Sequence, residues 1–283
     1  MINKFELNNK VTNNFKIVKL CFLIPPLLLL ISFFIYFFFS KAPNFIEEYA
    51  ACQKDLFHFL NSEMSKYPNF QFNITQLGDA LIFFPFLIIF LYYAPKLWQA
   101  LLTSSIFSLL ISATFKTVFA VPRPAAIYDN NSLVIIGKRT IGLTSLPSGH
   151  SITAFMIITI LLYAFMPKKI SHKIAWSVLL FTFGFMIAFS RVGIAAHYPF
   201  DVIIGCAIGY FVAIIGIKVN NNVNWLEWIK NKKVDPFFIL ILLIGAFLII
   251  KKIVALNLPI FYLSLLSLVI TFFIITNAYV KRN

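Results

Sequence analysis

Charge is what this chain lacks. Of its 283 residues only 12% are Asp, Glu, Lys or Arg, whereas 60% are hydrophobic. That leaves no room for a separate water-soluble domain and gives the composition of an integral membrane protein. Cysteine is as sparse: Cys21, Cys52 and Cys206 are scattered, two of them inside apolar runs, so there is neither a disulfide framework nor a metal-ligand spacing. There is no internal repeat, and no low-complexity segment beyond the hydrophobic runs. The excess of basic residues gives a formal net charge of +14. Because those residues are spread among loops rather than gathered on one face, they argue against nucleic acid as a partner.

What is present is a series of apolar runs at bilayer-spanning spacing: roughly 20–39, 77–93, 97–115, 152–166, 174–189, 202–217, 236–250 and 258–278. Several are nearer ~15 than ~20 residues, so their polar ends must complete the crossing. The pattern predicts an all-α, polytopic membrane helix bundle of eight spans. In the seventh, Lys251 and Lys252 follow the apolar part and must snorkel or sit at the interface, with a re-entrant hairpin as the alternative. The first run follows a basic segment, but its length and the lack of a small-x-small site favour a retained anchor over a cleaved signal.

The basic residues report topology. With the amino terminus placed in the cytoplasm, Lys4, Lys10, Lys16, Lys19, Lys96, Lys168, Lys169, Lys173, Lys218, Lys230, Lys232, Lys233, Lys281 and Arg282 fall inside, 14 of the 24. Setting aside Lys116, Arg123 and Arg191, which carry the chemistry below, seven fall outside. Both termini are therefore expected inside. Three parts follow: 1–76, an anchor helix and an outer segment; 77–217, the motif-bearing region; and 218–283, a basic inner loop, where Trp225 and Trp228 mark the interface, with two further spans.

In the outer segment, Phe45, Ile46, Tyr49, Leu56, Phe57, Leu60 and Met64 recur at about helical spacing. This fits an amphipathic helix lying on the membrane or one capping the bundle, and the two readings are equally open. His58, without partners, is read as incidental.

Three polar clusters share the outer helix ends. In KTVFAVPRP, Lys116 and Arg123 are seven residues apart, two helical turns, so both side chains would project to one side, with Pro122 bending the last turn. Alone, such residues would more often just anchor a span. PSGH, Pro147 to His150, opens the fourth span, and unpaired N–H groups at such a start make an anion site; read alone, Ser148 is equally a helix cap. In SRVGIAAHYPFD, Ser190 to Asp201, Pro199 suits the first turn of a helix. His197 and Asp201 are then four residues apart, and the carboxylate can take the proton of one imidazole nitrogen and leave the other free to attack. The plainer alternative is that Asp201 only caps the helix.

Together the clusters resemble the type 2 phosphatidic acid phosphatase superfamily of membrane lipid phosphatases, whose signature is K-x6-RP, PSGH and SR-x5-H-x3-D. Lys116, Arg123, Pro124, Pro147, Ser148, Gly149, His150, Ser190, Arg191, His197 and Asp201 match every defined position. The resemblance covers about residues 77–217 and implies a six-helix core, here the first six spans, with two spans added at the carboxyl end. It implies that His197 attacks phosphorus, Asp201 orients it, and His150 protonates the leaving oxygen and then activates water. Lys116, Arg123, Ser148, Gly149 and Arg191 would bind the phosphate. A phosphoryl group in transfer carries its charge on three equatorial oxygens, which three cations and helix-start N–H groups would stabilise.

Two histidines and an aspartate could suggest zinc, but three adjacent cations would repel it, so no metal or other cofactor is expected. The implied partner is a lipid phosphate held in the bilayer: phosphatidic acid, phosphatidylglycerol phosphate, undecaprenyl pyrophosphate or lipid A. Outer placement favours the envelope lipids of a bacterial inner membrane. Lys138 and Arg139 either contact a second phosphate or sugar or anchor the loop. Competing readings are a vanadium-dependent haloperoxidase, disfavoured because those enzymes are soluble; a lipid phosphotransferase using the same site; and a transporter or flippase, whose polar residues should line the midplane.

Overall fold

The computed structural model describes residues 4–39, 44–225 and 235–280. Trp228, Lys230, Lys232, Lys233, Lys281 and Arg282, used above for topology, lie outside the described residues. In chain order the helices are α1 (Lys4–Ile17), α2 (Ile24–Phe39), α3 (Phe45–Ala51), α4 (Lys54–Met64), α5 (Pro68–Ile74), α6 (Ala80–Leu87), α7 (Phe90–Tyr93), α8 (Pro95–Phe119), α9 (Pro124–Ile127), α10 (Gly149–Ala164), α11 (Ile170–Gly193), α12 (Pro199–Asn222), α13 (Asp235–Leu256) and α14 (Pro259–Val280). The fold is all-α, with no strand among the described residues, as composition and periodicity predict.

Among the described residues, six helical segments are long and apolar enough to cross a membrane: Leu20–Phe39, Pro95–Ile127, Ile170–Gly193, Pro199–Asn222, Pro236–Leu256 and Pro259–Asn277. The apolar α10 is shorter. The protein is an integral membrane protein, and α13 is one continuous helix rather than a re-entrant hairpin.

Of the eight expected spans the fourth is the shorter α10, and the second is broken. Residues 77–93 form a 3-10 turn and two short helices, α6 and α7, interrupted at Ile88 and Ile89. Pro85 lies inside α6, where it removes one i→i−4 hydrogen bond and crowds the preceding turn. In an apolar medium a broken helix needs polar partners from its neighbours. Helix α14 adds two donors beside the break, as Ser264 Oγ donates to the carbonyl of Ile82 at 3.0 Å and Ser267 Oγ to that of Pro85 at 3.1 Å. The carboxyl-terminal pair α13–α14 thus braces a broken helix.

Helix α12 is the most buried of the spanning segments. Gly205 and Gly209, one turn apart, make this possible. A Cβ at Gly205 would lie 2.7 Å from the carbonyl of Ser148, and one at Gly209 only 2.5 Å from that of Ile152. Small residues at i and i+4 let two helix backbones touch, and the contact sets the starts of α10 and α12 side by side. A backbone bond from the N–H of Ser148 to the carbonyl of Asp201, 3.0 Å, fixes the register.

Helix α1, which no motif marks, closes the opposite end of the bundle. Asn14 donates to the carbonyls of Ala164 and Met166, Asn221 to that of Phe15, and Lys218 to that of Val18. At the motif-bearing end, α3 to α5 lie across the helix tips. Asn61 donates to the carbonyls of Val192 and Gly193 and accepts from the N–H of Val134. Residues 44–78 therefore cap the bundle, the second of the two readings the sequence left open.

Candidate active site

The site grows from the start of α12. Pro199 supplies a φ suited to the first turn, and Asp201 follows in that turn, fully buried. Its Oδ2 accepts from the N–H of Tyr198 at 2.9 Å, which caps the helix, and also from Ser145 Oγ at 2.5 Å and His197 Nδ1 at 3.2 Å. Its Oδ1 accepts from the phenol of Tyr49 at 2.6 Å. Capping the helix and holding the imidazole are thus not alternatives, because one carboxylate does both.

His197 is 2% exposed and sits in the turn between α11 and α12. With its Nδ1–H given to Asp201, its Nε2 lone pair faces Arg123 Nη1 at 3.2 Å. Burial first, then the charges of Arg123, Arg191 and Lys116, push this imidazole well below the ordinary histidine range. It is therefore neutral at neutral pH, the form that can act as a nucleophile.

The three cations converge from different elements. Lys116 comes from the last turn of α8, and its Nζ would lie 3.6 Å from a Cβ at Gly149, placing it at the start of α10. Arg123 is not on α8, as helical spacing suggested. The helix ends at Phe119, Ala120 takes the left-handed conformation with φ 43°, and Pro122 follows. Arg123 instead precedes α9 in extended conformation and is aimed by its own contacts: Nη1 donates to the carbonyl of Ala196 at 2.9 Å, and its N–H to that of Gly142 at 3.0 Å. Arg191, in the last turn of α11, is 8% exposed and donates to Thr75 Oγ1 at 3.0 Å, while its Nε has no protein partner among the described residues.

Ser148 caps α10: its Oγ accepts from the N–H of Ser151 at 3.3 Å and from Ser151 Oγ at 2.8 Å. Its hydroxyl proton remains available to a ligand. His150, one residue into the helix, packs against Gly78, where a Cβ would come within 2.5 Å of the imidazole's own Cβ. Only glycine lets the cap lie this close. Arg123, Arg191 and His197 are all within electrostatic reach of His150. The eight candidate site residues, Lys116, Arg123, Ser148, Gly149, His150, Arg191, His197 and Asp201, therefore lie at one end of the bundle.

Several neighbours carry no sequence signal. Tyr49, Gln53, Asn61 and Thr75 belong to the cap and Ser145 to the loop before PSGH. Asp79 pairs with Lys252 at 2.7 Å, bringing α13 to the residue beside Gly78. Helical periodicity marks Tyr49 and Phe57 as buried but not Tyr49 as a donor to Asp201. Arg139 donates to the carbonyl of Ala125 at 2.8 Å, tying down the outer loop, and the ring of His58 lies 5.0 Å from that of Tyr128.

The model of the PAP2 superfamily matches residues 96–225, a segment holding all eight candidate residues. No curated protein matches the chain. Among solved structures, the crystal structure of Aquifex aeolicus LpxE is similar at 26% identity and a TM-score of 0.49, over 59% of this chain and 95% of that one.

Proposed function

We propose, for a chain whose residues 96–225 match the model of the PAP2 superfamily, that it is a membrane lipid phosphatase acting through a phosphohistidine on His197. The observation that carries this reading is the line from Asp201 Oδ2 through His197 to Arg123. One nitrogen is held 3.2 Å from a carboxylate, and the other opens onto three cations. Arg123 shields the Nε2 lone pair until an anion draws the guanidinium onto a phosphate oxygen, which sets phosphorus against the exposed nitrogen.

In the first step Nε2 donates its pair to phosphorus, the bond from phosphorus to the leaving oxygen breaks, and His150, entering the step as the imidazolium in the complex with the substrate anion, delivers its proton to that oxygen. In the second, His150 takes a proton from water as the water oxygen attacks, and the P–N bond returns its pair to Nε2. The sum is a lipid phosphate plus water giving a lipid hydroxyl, or a shorter lipid phosphate, and inorganic phosphate. Lys116, Arg191 with its free Nε–H, the Ser148 hydroxyl and the Gly149 N–H supply the positive surroundings that the equatorial oxygens require.

The site lies at one end of an apolar bundle, where a headgroup phosphate can reach it while the tails stay in the bilayer. The substrate is a phosphomonoester or pyrophosphate of an envelope lipid, undecaprenyl pyrophosphate or lipid A, or of a phosphatidic-acid-like lipid. The membrane is the bacterial inner membrane, with both termini cytoplasmic and the site on the opposite face. Phosphate release by purified protein across a panel of these lipids, with chelator present, tests the reading. Release from at least one lipid, undiminished by chelator, is expected; activity lost to chelator and restored by zinc or magnesium would overturn the assignment of the cations as the neutralising groups.

A further inference from the structure

We infer that Tyr49 is a positioning residue of this site, keeping the Asp201 carboxylate charged and aligned so that His197 presents Nε2 to phosphorus. The inference rests on the phosphatase reading. Tyr49 belongs to α3, outside the segment that matches the superfamily, so no signature residue stands for it.

The argument starts from the two oxygens of Asp201. Three donors share Oδ2: Ser145 Oγ, the N–H of Tyr198 and His197 Nδ1. Among the described residues Oδ1 has one, the phenol of Tyr49 at 2.6 Å. A buried carboxylate oxygen left without a donor is costly. Without the phenol, Asp201 would either take up a proton or rotate to share the Oδ2 donors, and both changes weaken its hold on Nδ1–H. The phenol is itself a dependable donor, since burial first and the neighbouring carboxylate second hold it well above its ordinary pKa.

The bond is not merely what a buried tyrosine must find for itself. Tyr198 lies in the same ring cluster, 5.8 Å from Tyr49, and its hydroxyl has no partner among the described residues. Tyr128, 5.8 Å from Tyr198, satisfies its own with the carbonyl of Ala50. The cluster thus tolerates an unpaired phenol and offers carbonyls, yet Tyr49 is aimed at the carboxylate. Its aim is set by a hydrogen-bonded clamp on the backbone. Gln53 Nε2 donates to the carbonyl of Tyr49 at 2.7 Å while Gln53 Oε1 accepts from the N–H of Phe200 at 2.9 Å, which pins α3 to the first turn of α12. The ring of Phe45 packs against the Tyr49 ring at 5.6 Å and supplies no polar group.

The test compares Tyr49→Phe, which keeps the ring, with Phe45→Leu, which loosens the packing and keeps the hydroxyl. Phosphate release is followed from pH 4.5 to 9, alongside thermal unfolding in detergent. For Tyr49→Phe we expect kcat to fall by on the order of tenfold with KM little changed, and the acid limb of kcat/KM to move to higher pH. Losing a donor to the carboxylate favours an extra proton on the His197–Asp201 pair, whichever member takes it. Phe45→Leu should lower the unfolding temperature and leave the acid limb where it is in the wild type. If Tyr49→Phe loses activity by one factor at every pH, or shifts only the unfolding temperature, Tyr49 serves packing and the inference is wrong. Wild-type protein inactive on every lipid would instead refute the phosphatase reading.

Discussion

The two ends of this bundle are both polar and both buried, and they differ in what their polar groups leave over. At the end closed by α1 the groups are, apart from the Lys218 ammonium on the carbonyl of Val18, neutral amides, hydroxyls and an indole turned on helix carbonyls and on one another. Asn220 donates to the carbonyls of Gln99 and Gly216 and to Thr103 Oγ1, and Thr103 also accepts from Trp225. At the end covered by α3 to α5 the groups are charged, and their contacts with the protein stop short. Among the described residues Arg191 Nε has no partner, and His197 Nε2 meets the Arg123 guanidinium. Asn221 Oδ1 is without a partner among the described residues at the closed end too, so the difference lies in charge: at the motif-bearing end it is a cation's donor and an imidazole's lone pair that are kept for a ligand.

If that contrast is right, the largest effects come from the reserved groups. Replacing His197 with Ala should remove phosphate release by on the order of 10⁴-fold or more, together with any acid-labile phosphoenzyme, because the nucleophile itself is gone. Replacing His150 with Ala should slow release from a lipid by roughly 10²- to 10⁴-fold. With an aryl phosphate, whose leaving oxygen needs little protonation, that variant should still form the phosphoenzyme and accumulate it, since water activation becomes the slow step. Rapid quenching and acid-lability assays read both outcomes. Near-normal turnover by the His197 variant would exchange the two roles.

A smaller effect separates the ends by pH. His197 is depressed by burial and by the three cations, so the native state stays neutral where an unfolded chain, with a histidine pKa of about 6.5, has begun to bind a proton. The unfolded state then holds more protons, and native stability falls as pH drops below about 6.5 toward the depressed native value. The acid limb of kcat/KM should correspondingly lie below the ordinary imidazole range. Thermal unfolding of the wild type and of His197→Gln between pH 8 and 5 checks the sign. The variant should lose part of the decline, and an unchanged slope would place its source elsewhere.

The motif-bearing end was the more legible in sequence, for a physical reason. Charges in an apolar chain are costly, so Lys116, Arg123, Arg191, His197 and Asp201 stand out, and the four-residue spacing of His197 and Asp201 translates directly into one helix start. Arg123 shows the limit. Its seven-residue distance from Lys116 suggested a shared helix face, but Ala120 and Pro122 end the helix first, and the convergence comes from loop contacts with Ala196 and Gly142. Likewise the apolar run 77–93 hid the effect of Pro85, because hydropathy counts residues and not hydrogen bonds. Tyr49, Ser145 and Thr75 were invisible, since each acts on a residue more than 50 positions away. Polarity alone does not distinguish a donor to Asp201 from any other hydroxyl.

The smallest expected effect lies at the closed end and is the sharpest check of the contrast. Asn220 is fully buried on α12, and its amide joins α12 to α8 through Gln99 and Thr103. Asn220→Ala removes those bonds but strands little. Thr103 keeps the donor of Trp225, and the carbonyl of Gln99, inside α8, keeps its place in the helix ladder. The soluble-protein cost of truncating one partner, about 1–3 kcal/mol, is therefore the upper bound. The average for interhelical hydrogen bonds within membranes, about 0.6 kcal/mol, is the better expectation. Thermal unfolding in detergent should show a drop of a few degrees. Phosphate release measured well below the unfolding midpoint should stay within about twofold of wild type, because α12 is held to α10 at its other end by Gly205, Gly209 and the bond from Ser148 to Asp201. A fall in kcat comparable to that of Tyr49→Phe, with no loss of stability, would mean that the closed end is coupled to the chemistry and that satisfied amides are no sign of a purely structural role.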